Sequence, residues 1–272
     1  MSTDIPSAFR FYSTQVEKLF RVADAAGDEH RGHTKMITGP WLADEDGQAR
    51  RGSLGVVMDD VMGYLISGIT PEGQWAVSTE IHLDFIDDPP TDGSTLYAES
   101  WTLDRGPRTG LAGSRVTDST GSLVASGSSR LQIVQVTDNP SPTSDRPAKS
   151  CARRRATSIE ELLGAVRTQD NGTASLELHT HRFLGNPLGN VHGGVLLCAS
   201  ELIGTSALPN ETGFRTTSIH IAYLRPCPTD AHVTFIPNVL HRGRTFAQVQ
   251  VIGRIRDGKI CTIATVTCSA VR

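Results

Sequence analysis

The run Asn186-Pro187-Leu188-Gly189-Asn190-Val191-His192-Gly193-Gly194 is the densest concentration of reactive and conformationally special residues in the chain. It ends where a mostly apolar segment begins, Val195 to Gly204, which reads as a helix opened by a small-residue turn. A glycine at a helix N-terminus leaves its backbone N–H unpaired within the helix, at the positive end of the dipole. Such a donor can hold the oxyanion formed when an acyl carbonyl is attacked, an interaction typically worth ~3 kcal/mol in rate. Gly193 is expected in that role. The missing side chains at Gly193 and Gly194 also let a substrate carbonyl approach the backbone. The structural alternative is that both glycines serve only tight helix–sheet packing.

Attack also needs an acid–base group, and an internal repeat supplies one. The segment Arg51-Gly52-Ser53-Leu54 through Asp60 to Gly63 lines up with His192 through Glu201 to Gly204 at an offset of 141 residues, with glycines matched at both ends and Asp60 matched to Glu201. Along its own helix Glu201 lies ~12 Å from Gly193, too far to place water on the same carbonyl. The acid for Gly193 must therefore come from an antiparallel neighbour, the equivalent helix of the first repeat, which carries Asp60.

The surrounding elements repeat as well. Val77 to Phe85 and Thr216 to Tyr223 alternate apolar and polar residues as strands do. Arg105-Gly106-Pro107-Arg108 and Arg242-Gly243-Arg244 read as turns between strands, and Thr120-Gly121 and Asp257-Gly258 as hairpin turns. Each repeat is expected to be a strand, a long helix and four more strands. The Pro- and Ser-rich stretch from Asp138, with the run Arg153-Arg154-Arg155, reads as a linker. Phe9, Tyr12, Val16, Leu19 and Phe20 make the apolar stripe of a helix over roughly 8–25. The expected division is an N-terminal helical extension at 1–33, repeat one at 34–137, a linker at 138–157 and repeat two at 158–272.

The Asn, the His-Gly-Gly six residues later and an acid nine after the His resemble the hotdog acyl-CoA thioesterases of the phenylacetyl-CoA and 4-hydroxybenzoyl-CoA kind. The tandem arrangement is similar to the double-hotdog acyl-CoA hydrolases, and the resemblance covers nearly all of the chain outside the N-terminal helix and linker. It implies an α+β fold in which two central helices are wrapped by antiparallel sheets joined into one. It also implies that oxyanion glycine and carboxylate come from opposite repeats. One composite site then joins Asn186, His192 and Gly193 to Asp60, and the family's water-orienting Ser falls on Ser78. Asp60 would act as general base or attack directly to form an anhydride. Asn186 would hold the thioester or the base, and His192 would orient its loop or act near the sulfur. The second site, with Gly52, Glu201 and Thr216, has Glu45 and Arg51 where the first has Asn186 and His192, and is expected to be dead or weak.

The resemblance implies an acyl-CoA substrate, with coenzyme A as part of it, and no separate cofactor. Arg105, Arg108, Arg242 and Arg244 are candidates for its phosphates, with Gly194 giving room for the ligand. It also implies dimers or trimers of the fused unit. An enoyl-CoA hydratase would need an Asp and a His around Asn186-Pro187, where Leu184 and Gly189 stand. An acyl-CoA sensor is the non-enzymatic alternative, and Asp60 and Ser78 argue against it.

Among 272 residues, 38% are hydrophobic and 20% charged, as in globular chains, and the net charge of −3 gives no broad basic field for nucleic acid. The start of the chain lacks the pattern of a secretory signal, and no apolar run is long enough to span a membrane. Five cysteines with no CxxC spacing suit free thiols in a reducing cytoplasm, and no His/Cys/Asp cluster has metal-ligand spacing in sequence.

Overall fold

The computed structural model describes residues 14–136, 155–170, 173–209 and 213–270. Repeat one contains α1 (Gln15–Leu19), β1 (Val22–Gly27), β2 (Arg31–Ile37), α2 (Gly55–Gly68), β3 (Gln74–Phe85), β4 (Thr95–Arg105), β5 (Thr109–Thr117) and β6 (Leu123–Gln135). Repeat two follows the same plan with α3 (Ile159–Leu163), β7 (Ala165–Asp170), β8 (Thr173–His179), α4 (Gly193–Ser206), β9 (Phe214–Tyr223), β10 (His232–Arg242), β11 (Phe246–Ile255) and β12 (Ile260–Ala270).

All twelve strands form one sheet in the order β1-β2-β4-β5-β6-β3-β9-β12-β11-β10-β8-β7. The repeats join where β3 runs antiparallel to β9, with Ile81 opposite Ile221 and Leu83 opposite Ile219. These four side chains are fully buried. Both long helices are apolar nearly all round because the sheet wraps them while they also pack on each other. They meet at glycines: a Cβ on Gly194 would fall 2.4 Å from the carbonyl carbon of Gly55. Close contacts pair Gly52 with Glu201, Gly55 with Leu197 and Asp59 with Gly193, so the helices run in opposite senses. This is the double hotdog architecture.

The N-terminal region departs from expectation. The helix expected over 8–25 is present in the described residues only as α1, and the next residues form β1. Arg21 and Asp24 take positive φ, which no helix accommodates, and β1 pairs instead with β2. Phe9 and Tyr12 lie outside the described residues, as does most of the linker. Each repeat thus has two strands before its long helix, not one, and the boundary at residue 33 falls inside the β1–β2 hairpin. The short helices tie the repeats together. Thr14 Oγ1 donates to the Gly185 carbonyl at 3.3 Å, and the Ile159 N–H donates to the Ala43 carbonyl at 2.7 Å. Each therefore braces the loop that precedes the other repeat's long helix.

Candidate active site

That loop is built the same way twice. Asn186 Oδ1 accepts from the N–H groups of Leu188 and Asn190, and its own N–H donates to the Asn190 carbonyl. Asp44 Oδ1 accepts from Asp46 and Gln48, and its N–H donates to the Gln48 carbonyl. The left-handed turn positions are Gly189 (φ 76°) and Gly47 (φ 80°). These pairs differ by 142 residues, not 141, so Asn186 corresponds to Asp44, His192 to Arg50 and Glu201 to Asp59. The one-residue change corrects the sequence alignment and exchanges which of two adjacent acids faces which partner.

A cleft of about 370 Å³ between the repeats is lined by Asp59, Asp60, Ser78, Asn186, His192 and Gly193, among others. All five residues expected in the first composite site are thus brought together. Their pairings differ from expectation. Ser78 Oγ donates to Asp59 Oδ1 at 2.7 Å, not to Asp60. Asp59 Oδ2 accepts the Gly194 N–H at 3.0 Å and stands 2.6 Å from where a Gly193 Cβ would be. A carboxylate from α2 therefore caps the positive N-terminus of α4, a favourable arrangement of charge and dipole. The Gly193 N–H, one residue earlier, has no acceptor within its own helix.

Asp60 lies behind this layer, 2% exposed against 8% for Asp59. Its Oδ1 is 2.9 Å from His192 Nε2, and its buried Oδ2 has no hydrogen-bond partner. Burial raises the Asp60 pKa to about 7, although His192 opposes the rise. Burial alone would lower the His192 pKa, but the carboxylates of Asp60 and Asp59 outweigh it and raise it to about 9. The Gly194 N–H also donates to His192 Nδ1 at 3.1 Å, which lies 3.3 Å from Asp59 Oδ2, so the imidazole stands between Asp59 and Asp60. Glu17 of α1 stands beyond Asp60, accepting from the Thr14 N–H and, at 3.1 Å, from the Tyr64 hydroxyl. Glu17, Asp60 and His192 bring ligand atoms within 4.8 Å of one another. No sequence spacing could reveal that grouping, and Glu17 already has protein partners for both oxygens.

Two residues of the site carried no sequence signal. Tyr223 ends β9, and its hydroxyl donates to the Gly193 carbonyl at 2.7 Å. It thereby holds the Gly193–Gly194 peptide in the plane that aims the Gly194 N–H at Asp59. Arg225, exposed, lines the cleft just beyond. Asn186 has its side-chain oxygen committed to its own loop, which leaves its NH₂ to serve a ligand. Gly194 does not give room for a ligand: it is buried against Gly55 and Val56, so it is a packing glycine.

The four arginines proposed for coenzyme A do not line the cleft. The turn with Arg105 and Arg108 lies beside β6, since the Ile133 N–H donates to the Arg108 carbonyl, and Gln132 and Val134 of β6 line the cleft. The turn with Arg242 and Arg244 lies on the other side. The Ala270 N–H donates to the Thr245 carbonyl, and Ala270 pairs with Phe214, which lines a separate pocket of about 190 Å³. One cleft therefore cannot use both turns.

At the second composite site the acid is sealed off: Arg50 and Thr205 line the pocket of about 190 Å³, and Glu201, 2% exposed, does not. Glu201 Oε1 accepts from Thr216 at 2.6 Å and from Thr205 at 3.1 Å. Gly52 packs on the Glu201 side chain, since a Cβ there would lie 2.6 Å from Glu201 Cβ. Glu45, aligned with Asn186 in sequence, is exposed. Arg50, ion-paired with Asp44, is the charged neighbour of Glu201. Arg51 bonds Asp88 at 2.6 Å and donates to the Thr216 carbonyl at 2.8 Å.

The four described cysteines are all buried, and Cys151 lies outside the described residues. No described helix is long and apolar enough to cross a membrane.

Comparison with known proteins supports the architecture. The tesB protein of Mycobacterium avium subspecies paratuberculosis superposes with a TM-score of 0.65 at 10% identity, covering 95% of this chain and 100% of that one. The acyl-CoA thioesterase II TesB2 of Mycobacterium marinum gives 0.61 at 11% identity, covering 94% and 98%. An acyl-ACP thioesterase from Bacteroides thetaiotaomicron gives 0.58 at 12% identity, covering 88% and 97%. No curated protein matches the chain in sequence. The profile of the thioesterase superfamily matches residues 188–262, from the loop before α4 into β12. The chain thus has the tandem hotdog fold, and the thioesterase superfamily profile matches part of its second repeat.

Proposed function

We propose that the cleft hydrolyses acyl-CoA thioesters, with Asp59, not Asp60, as the reacting carboxylate. The observation that carries this reading is the meeting of Asp59 with Ser78 and the Gly193–Gly194 backbone across the two helices. The thioester carbonyl oxygen would take the Gly193 N–H, where a preorganised donor in a desolvated site stabilises the developing charge. Asp59, steadied by Ser78, would accept a proton from water as the water oxygen bonds to the carbonyl carbon. When the C–S bond breaks, that proton passes to the departing sulfur. Direct attack by Asp59 to form an anhydride uses the same groups. His192 holds Asp59 from behind, and the Asn186 NH₂ is placed to meet the thioester. Arg225 at the mouth, with Arg105 and Arg108 beyond β6, would meet the phosphates of coenzyme A.

Free thiol release from a panel of acyl-CoAs tests the reading. Turnover of at least one of them, far above the uncatalysed rate, is expected. Tight binding of every analogue with no release would make the protein a sensor instead. The sealed acid of the second site leads to a further expectation. Glu201→Gln should leave thiol release close to wild type, because Glu201 is buried, bonded to Thr205 and Thr216, and does not line the smaller pocket beside it. Loss of turnover in that variant, at unchanged melting temperature, would move the chemistry to the other repeat. Family resemblance also motivates further association of the fused unit, which solution mass measurement against 29.3 kDa decides.

A further inference from the structure

Gly63 sits in the middle of α2, where glycine is costly. It loses more backbone entropy than any other residue and gives a helix no side chain to pack. Most glycines of this core are explained by close packing. Gly204, its partner in the sequence alignment, is one: a Cβ there would lie 2.9 Å from Val266 and 3.2 Å from Val251. Gly63 has no such reason, because a Cβ there would meet no atom within 4 Å. It is half-buried, it lines the cleft, and its φ needs no glycine. The open space that a side chain would enter is therefore the cleft itself.

The internal repeat supplies a control. At the offset of 142 that the loops and acids obey, Gly63 corresponds to Thr205. Both stand one helical turn beyond the acid of their helix, Asp59 or Glu201. Thr205 puts a side chain there, bonding Glu201 and Thr216 at 3.1 and 3.0 Å, and the pocket it lines is about 190 Å³ against about 370 Å³ for the cleft. Where the side chain is absent, the cleft runs past the acid toward Trp75 and Tyr64, packed edge to face with ring centroids 6.0 Å apart. Gly63 lies ~6 Å along the helix axis from Asp59. That reach corresponds to acyl carbons some way beyond the carbonyl, not to the carbonyl itself.

We propose that Gly63 is a specificity-determining residue: its missing side chain is the passage for the distal part of a bulky apolar acyl group, which ends against Trp75 and Tyr64. The idea rests on the acyl-thioester reading above. It assigns the cleft to medium-length or aryl acyl groups in preference to acetyl.

The test uses the full chain and two variants, Gly63→Ala and Gly63→Leu, with octanoyl- and acetyl-CoA as substrates. Their non-hydrolysable thioether analogues serve as binding probes. Because the site is helical and open, Gly63→Ala should raise Tm by about 2–4 °C. In Gly63→Leu, the octanoyl-to-acetyl ratio of kcat/KM should fall by about 10- to 100-fold, as when a hydrophobic pocket loses room for methylenes. Gly63→Ala should show a smaller fall in the same direction, which covers the case in which the leucine variant does not fold. A drop in Tm for Gly63→Ala would mean the glycine is needed for packing and would overturn the proposal, as would an unchanged ratio in both folded variants. If the wild-type protein releases no thiol, the hydrolase reading fails separately. The thioether analogues then decide: an octanoyl preference in binding that the variants abolish upholds the role of Gly63, and its absence in the wild type ends it.

Discussion

Asp59→Asn should lower kcat for acyl-CoA hydrolysis by about 10²- to 10⁴-fold, the range associated with loss of a positioned acid–base group. Asparagine is close in size, and its side-chain oxygen can still accept the Gly194 N–H that Asp59 Oδ2 now takes. Only the proton-accepting or nucleophilic capacity is lost, so KM should change little. Asp60→Asn should cost kcat much less, because Asp60 is buried behind His192 and does not face the glycine turn. Steady-state kinetics of the two variants side by side separate the assignments. An active Asp59→Asn beside a dead Asp60→Asn would restore the acid that sequence alignment alone selects.

Stability should depend on pH through the same layer, and Asp60→Asn should remove much of that dependence. Both buried partners have folded pKa values above their ordinary ones, so both bind protons more tightly in the folded state. The contribution of Asp60 is fully present below 3.8 and lost as pH rises through about 7. That of His192 is fully present below 6.5 and lost as pH rises through about 9. The two titrations are coupled, because ionised Asp60 is the main cause that raises His192, so their effects on stability do not simply add. Asparagine at 60 does not titrate, and it withdraws the largest interaction that raises His192. Burial then acts on the imidazole with only Asp59 and Glu17 against it. The Tm advantage of wild type over Asp60→Asn should therefore be greatest near pH 5 and shrink steadily toward pH 9. Thermal melts across that range check it. An advantage that stays constant or grows with pH would mean that His192 and Asp60 are not coupled as the geometry implies.

Much of the architecture was legible in sequence because it is written in local patterns. Apolar residues all round two matched segments require helices that are covered on every side, and alternating strands after each require a sheet to cover them. The glycines at 193 and 194 mark a helix start, and ~12 Å of helix separates Gly193 from Glu201, which forces the acid to come from the other repeat. Those inferences need only periodicity and helix geometry.

Which acid it is could not be read in the same way. Asp59 and Asp60 are neighbours, and the glycine matches favour an offset of 141, whereas the loops before the helices superpose at 142. Successive helical residues point about 100° apart, so a one-residue slip turns a cleft-facing carboxylate into a buried one. Only helix-on-helix packing decides between them. Tertiary packing also made β1 from a segment that reads as helix, since edge pairing with β2 outweighs local propensity. It divided the arginine turns between two sides of the sheet, and it brought Tyr223 and Glu17 to the site from distant parts of the chain. Gly63 and Gly204 look alike in sequence, but one faces a cavity and the other a wall of valines. A side chain's type is local information, whereas its surroundings are assembled from residues far away in the chain, and the chemistry of this cleft depends on those surroundings.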